Sequence, residues 1–343
     1  MNRQAVRCFA MMLCLAAGVM ATAGGTAAKR PTERVSPAPE VNRNAVIWRT
    51  PVPPANPQVG DVWVNPKDGM EMVYIAPGQF LLGTSDAQVD AWLKGHPGDK
   101  REDFEDEQPQ CRVNLPGYWI GRTEVTNAQY RRFVQATGHR APEHWKGGHI
   151  PAGLEDFPVA YVTWDDAREY CAWAGGHLPT ELQWEKAARG SDGRVFPWGD
   201  QWDAKRCRNL ELITGRGHVS GENRAAAFGA WLASLAWQAW VTSHDTVRDG
   251  PAVVGSYPAG RSPFGCADMA GNVEEWCADW YDAGAYQRYA KGDLAPPKTG
   301  ESWVLRGGSW GDDDPGAFRC AHREDLGSAC TLYYGFRCAR AGP

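Results

Sequence analysis

Residues 157–190 read FPVAYVTWDDAREYCAWAGGHLPTELQWEKAARG, and this stretch decides the fold class. Two helices begin in it on the same signal. Thr163-Trp164-Asp165-Asp166 and Thr180-Glu181-Leu182-Gln183 each place a hydroxyl at the N-cap and an acceptor three residues on. Backbone N–H groups that a first helical turn leaves orphaned are thereby satisfied. The pair Gly175-Gly176 ends the first helix and Gly190 ends the second. Upstream, Thr126-Asn127-Ala128-Gln129 repeats the device and predicts a helix to about Ala136.

Outward from these helices lie short apolar pieces bounded by Gly or Pro: EMVYIAPGQFLLG, GYWIGRTEV, VLRGGSW and YYGFRCAR. They read as short strands, so the chain is α+β with little regular secondary structure and no internal repeat. Seventeen tryptophans and 39 glycines point the same way, to a loop-rich interior filled by aromatic rings. The 343 residues, 43% hydrophobic and 22% charged, carry a net charge of -5. That balance describes a globular protein and argues against nucleic acid as a partner.

The first residues stand apart. Arg3 and Arg7 precede an apolar run from Cys8 to Met20, followed by small residues at Ala21, Thr22 and Ala23. This predicts a signal peptide over 1–23 and export to a periplasmic or secreted location. A retained anchor is the alternative, although the run falls short of the roughly 20 residues a span requires. Residues 24–60, with Pro31, Pro37, Pro39, Pro51, Pro53, Pro54 and Pro57, read as a Pro-rich tether. Eight cysteines follow: Cys111, Cys171, Cys207, Cys266, Cys277, Cys320, Cys330 and Cys338. An even count in an exported chain argues for disulfides, and the spacing leaves their pairing open.

Taken in order, DGMEMVYIAPGQFLLGT, GRTEVTNAQYRRFV, the 157–190 stretch, VFPWGD, GNVEEWCADWY, VLRGGSW and YGFRCAR resemble the formylglycine-generating enzyme (sulfatase-modifying factor) family over about residues 62–340. The resemblance implies one domain, 61–343, of C-type-lectin-like topology. It also implies a disulfide between Cys171 and Cys338.

The resemblance breaks where the family's copper chemistry would lie. Its oxidases hold copper(I) on two cysteine thiolates after an R-G-G-S segment, and copper(I) is a soft ion that prefers sulfur. Here Arg306-Gly307-Gly308-Ser309 is followed by Trp310-Gly311-Asp312-Asp313-Asp314. The first thiol position falls on or beside Asp312 and the second near Gly316 to Ala317. Glu274 stands where the oxidases carry an aromatic residue. Cys320 matches a structural cysteine whose partner position falls on Ala188. Copper-dependent formylglycine formation is therefore not expected. Iron stays open, since the family's iron enzymes keep their histidine ligands largely in an extra helical domain that is not seen here.

Calcium is the cofactor the resemblance favours. Asp268, the carbonyls of Gly271 and Val273, and Glu275 match one structural calcium site of the family, and hard oxygen donors suit that ion. A second would use Asn209, the carbonyl of Leu210, Asp245 and the carbonyl of Val247. An insertion at about 211–243 separates its halves, and loop capping by Asn209 and Asp245 is the plain alternative. Within the insertion, the uncharged run AAAFGAWLASLAWQAWV at 225–241 reads as a buried or lid helix, or as a surface for a protein partner or membrane interface.

Asp312, Asp313 and Asp314 between Gly311 and Pro315 make a solvated acidic turn on the plain reading. On the sharper reading they join Ser309, Trp310, His322 and Tyr333 in a pocket for a polar small molecule, sugar or peptide. His139, His144 and His149, five apart, are further candidate metal ligands. Two functions follow. One is an exported binding protein using the former active-site face. The other is a periplasmic tailoring or oxidative enzyme of protein or siderophore maturation.

Overall fold

The computed structural model describes residues 45–215, 250–327 and 330–343. Eleven short strands among them form three sheets. The largest has the order β1 (Ile47–Trp48), β2 (Val62–Val64), β3 (Glu71–Ile75), β6 (Tyr118–Gly121), β11 (Ala339–Ala341), so the chain's end closes beside its early strands. A hairpin pairs β4 (Gly78–Leu82) with β5 (Cys111–Leu115). The third sheet runs β10 (Tyr334–Gly335), β7 (Glu274–Trp280), β8 (Trp303–Arg306), β9 (Glu324–Leu326).

All three expected helices are present with the caps the sequence implied. They are α2 (Asn127–Thr137), α3 (Trp164–Ala174) and α4 (Glu181–Arg189), each with a reciprocal capping box, at Thr126/Gln129, Thr163/Asp166 and Thr180/Gln183. The helix α1 (Asp86–Gly95) uses the same device through Ser85 and Gln88. Two single-turn pieces, α5 (Leu210–Thr214) and α6 (Ala285–Tyr289), complete the set among the described residues. None of these helices is long and apolar enough to cross a membrane.

Aromatic rings fill the interior, as the composition suggested: Trp63, Trp119, Trp184, Trp276 and Trp310 are among the largest fully buried side chains. Charges are buried with them. Glu185 accepts from Arg189 (2.6 Å), Arg306 (2.5 Å), Tyr286 (2.5 Å) and the Gly83 N–H (2.7 Å). Four donors on one carboxylate offset the desolvation that would otherwise make it destabilising.

The tether expectation needs correction at its end. Ile47 and Trp48 pair with Val62 and Trp63 as a parallel strand. Asp61 holds them there, accepting from the Val46 N–H (3.0 Å) and the Trp48 indole (3.2 Å). The proposed signal peptide, the 225–241 segment, Asp245 and Val247 lie outside the described residues.

Candidate functional site

The R-G-G-S segment is shaped by Arg306. Its guanidinium donates to the carbonyls of Cys320 (2.7 Å), Ala321 (2.9 Å) and His322 (2.6 Å), folding the chain after β8 back on itself. Gly308 has φ +65°, and a Cβ there would meet the Ala317 carbonyl at 3.0 Å and the Phe318 ring at 3.1 Å. Only glycine accepts both the backbone conformation and the close approach.

Ser309 follows, buried, with its N–H and its hydroxyl both donating to Asp312 Oδ2 at 2.8 and 2.9 Å. The Asp312 carbonyl accepts from the Leu210 N–H (2.9 Å), which docks the loop on α5. Asp314 caps the next turn through the Gly316 N–H (2.9 Å). Asp312 and Asp314 thus organise the loop, and Asp312, Asp313 and Asp314 are all half-buried.

Trp310 departs from expectation. It is 0% exposed, so it does not line an open face. Its ring stacks on Tyr333 at 4.9 Å and 30°, its backbone N–H bonds to the Asn272 carbonyl (2.9 Å), and its buried indole Nε1 has no hydrogen-bond partner among the described residues. Tyr333 also presents its carbonyl to the Glu274 N–H (2.8 Å). Tyr333 thus ties the buried Trp310 ring to the backbone of buried Glu274.

His322 belongs elsewhere. It lines a cleft of about 490 Å³ with Asp106, Tyr281, Gln287 and Arg323, and none of Trp310, Asp312 or Tyr333 lines that cleft. Burial works against a charged imidazole, but hydrogen bonds donated to the Glu107 and Glu324 carboxylates outweigh it and raise the His322 pKa above its ordinary value. The candidate histidines of 139–149 also stay apart. His139 contacts Asp166 (2.9 Å) and Glu169 (3.4 Å). His144 packs over Tyr161 at 5.1 Å and is held to about 4 by burial, and His149 is exposed.

The donor set does not fit copper(I). The resemblance puts the thiol positions on or beside Asp312 and near Gly316 to Ala317, none of them a sulfur residue, and Cys320 is buried with its thiol pushed up to about 12 by desolvation, hence protonated. The only described sulfur atoms that hydrogen-bond each other are those of Cys171 and Cys338, 2.8 Å apart in the core.

Of the four donors that the resemblance assigns to calcium, Glu275 and Asp268 already have partners within the protein. Glu275 Oε1 accepts from Arg337 (2.6 Å), while Oε2 accepts from Arg337 (2.6 Å) and Trp184 (2.8 Å). Asp268 Oδ2 takes the Gly255 N–H. A divalent ion on the same oxygens would sit beside a guanidinium. At an effective dielectric of 20, each pair of unit charges 4 Å apart repels by about 4 kcal/mol. At the other proposed site, Asn209 is a helix cap: its Oδ1 accepts from the Leu212 N–H (2.8 Å), and its amide donates to the carbonyls of Ala204 and Cys207. Leu210 is its first helical residue. Among the described residues, no group of three or more His, Cys, Asp or Glu is placed to hold a metal.

The sequence reading missed Asn272. At φ +67° it receives Trp310 on its carbonyl, donates to Glu124 (3.0 Å) and accepts from the Ala252 N–H (2.8 Å). The N-V-E-E run gave it away only as a turn residue.

Against this geometry, the model of the sulfatase-modifying factor enzyme 1-like domain matches residues 59–342. The chain belongs to that family. It is 32% identical to the formylglycine-generating enzyme of Streptomyces coelicolor, covering 84% of this chain and 95% of the relative. It is 33% identical to the serine/threonine-protein kinase Pkn1 of Chlamydia trachomatis, over 79% of this chain and 38% of the relative. Against the hercynine oxygenase of Mycolicibacterium smegmatis it is 30% identical, over 69% and 54%. This family domain therefore spans only part of those last two proteins. In three dimensions it resembles PvdO from Pseudomonas aeruginosa, with a TM-score of 0.58, 24% identity and coverage of 83% of this chain and 100% of that one. That likeness shows the fold, which is C-type-lectin-like.

Proposed function

We propose that this chain is an exported member of the sulfatase-modifying factor family that binds a polar ligand on the face of Ser309, Asp312 and Tyr333 and does not oxidise cysteine peptides with copper. The observation that carries the reading is Asp312, a carboxylate held by Ser309, on or beside which the family resemblance would put the first copper thiolate. A carboxylate is a poor copper(I) ligand and a good acceptor for hydroxyl and ammonium groups. The amino-terminal pattern of residues 1–23 supports export to the periplasm or beyond.

The test is direct. The purified protein, loaded with copper(I) and given a cysteine peptide under oxygen, should leave the peptide unchanged by mass spectrometry. Conversion to the aldehyde would sink the reading. An oxidative tailoring role is the second reading, supported by similarity to formylglycine-generating enzyme and hercynine oxygenase. Metal analysis of the as-purified protein separates the two, since stoichiometric iron or copper favours an oxidase.

A further inference from the structure

The turn that the family resemblance assigns to calcium already holds a cation. The Arg337 guanidinium is fully buried, as is Glu275. Five oxygens surround it. Two are the Glu275 carboxylate oxygens, each at 2.6 Å; the others are the carbonyls of Gly121 (2.9 Å), Ala267 (3.0 Å) and Asp268 (3.4 Å). A carboxylate bound through both oxygens, together with backbone carbonyls, is the kind of donor set a hard divalent ion takes. Of the donors the resemblance assigns to calcium, the Glu275 carboxylate is the one that Arg337 engages, through both oxygens, and the fork of the guanidinium matches it geometrically.

We infer that Arg337 is the built-in cation of this turn, replacing calcium, and that the domain folds and keeps its stability without calcium there. The arrangement ties three distant pieces together. Arg337 lies just before β11, Gly121 ends β6, and Ala267 and Asp268 lead into the turn before β7. An ion in this position would make the tie conditional on the calcium supply, whereas a covalently attached guanidinium makes it permanent. Trp184 adds a neutral donor to Glu275 Oε2 at 2.8 Å, so the carboxylate is satisfied without any ion. Asp268 is held in turn by the Gly255 N–H, on the segment that leads into the turn.

The experiment uses the full chain carrying Asp245→Asn, so that the second site suggested by the sequence cannot report. Thermal unfolding is followed with excess calcium and with chelator, and terbium(III) is titrated as a luminescent calcium substitute that Trp184 and Trp276 would sensitise. The expected result is one melting temperature in both conditions and no saturable terbium emission. A calcium-dependent rise in melting temperature, or saturable emission lost on Glu275→Gln, overturns the inference. Arg337→Met supplies the converse test: with the guanidinium gone, a protein that folds only with calcium present, or melts higher with it, supports the assignment. Should that variant fail to fold in either condition, the parent's melting curves and terbium titration still decide.

Discussion

Arg306 and Glu185 meet at 2.5 Å with neither side chain exposed to solvent. The pair joins the strand that delivers the R-G-G-S segment to the helix α4, whose cap was readable in the sequence. Removing one partner leaves the other charged and buried, which costs about 3–5 kcal/mol. Arg306→Met also strips donors from the carbonyls of residues 320–322. We expect Arg306→Met to lower the denaturant midpoint more than Glu185→Gln does, because Gln keeps some of the hydrogen bonds. Urea unfolding with unchanged m-values measures this.

Asp279 gives a pH signature. It accepts from the Glu181 N–H (2.7 Å), and burial, reinforced by the nearby Glu181 charge, raises its pKa to about 7. A carboxyl whose folded pKa lies above its unfolded value favours the folded state fully below about pH 4. That contribution is lost as pH rises towards 7. Asp279→Asn stays neutral and can still accept the Glu181 N–H. Its stability relative to wild type should therefore improve between pH 5 and pH 8, and a constant difference across that range would refute the shifted pKa.

Cys171 in α3 and Cys338 beside β11 are buried and their sulfur atoms are in contact. We expect protein recovered from an oxidising compartment to carry this bond. It would close a loop long enough for a chain-entropy gain of up to roughly 5 kcal/mol, an upper value because the unfolded chain is not fully random. Non-reducing peptide mapping should recover the linked pair. Alkylation of either residue before reduction would show that the bond is absent.

What the sequence disclosed and what it hid divide by the range of the interaction. The caps at Thr126, Thr163 and Thr180 act across three residues, so reading them was enough to place α2, α3 and α4. Glycine and proline boundaries likewise marked β3, β4, β6 and β8. The ion pair of Glu275, by contrast, could not be read, because its partner Arg337 is 62 positions away. His322 looked like a neighbour of Asp312 because ten positions of chain separate them. The turn capped by Asp314 and the grip of Arg306 carry His322 into a different cleft. The strand β1 was hidden in Pro-rich sequence because Asp61, not local propensity, holds it.

The burial of Trp310 decides how the Ser309–Asp312 loop must be probed. Removing its side chain would open a cavity beneath the loop, and truncating a buried tryptophan costs about 3–5 kcal/mol. Trp310→Ala would then lose any bound ligand by unfolding, and such a loss would say nothing about contact. Asp312→Asn is the informative change. Asn keeps an oxygen to accept from Ser309 and retains the loop's shape, with a cost of about 1 kcal/mol or less for one weakened hydrogen bond, while the charge is removed. If this face holds a cationic or hydroxylated ligand through that carboxylate, Asp312→Asn should weaken binding at least tenfold with a melting temperature within a few degrees of wild type. Isothermal titration calorimetry with lysine-rich peptide and with simple amino sugars provides the readout. Equal affinity of both proteins for every probe they bind would take the ligand away from Asp312.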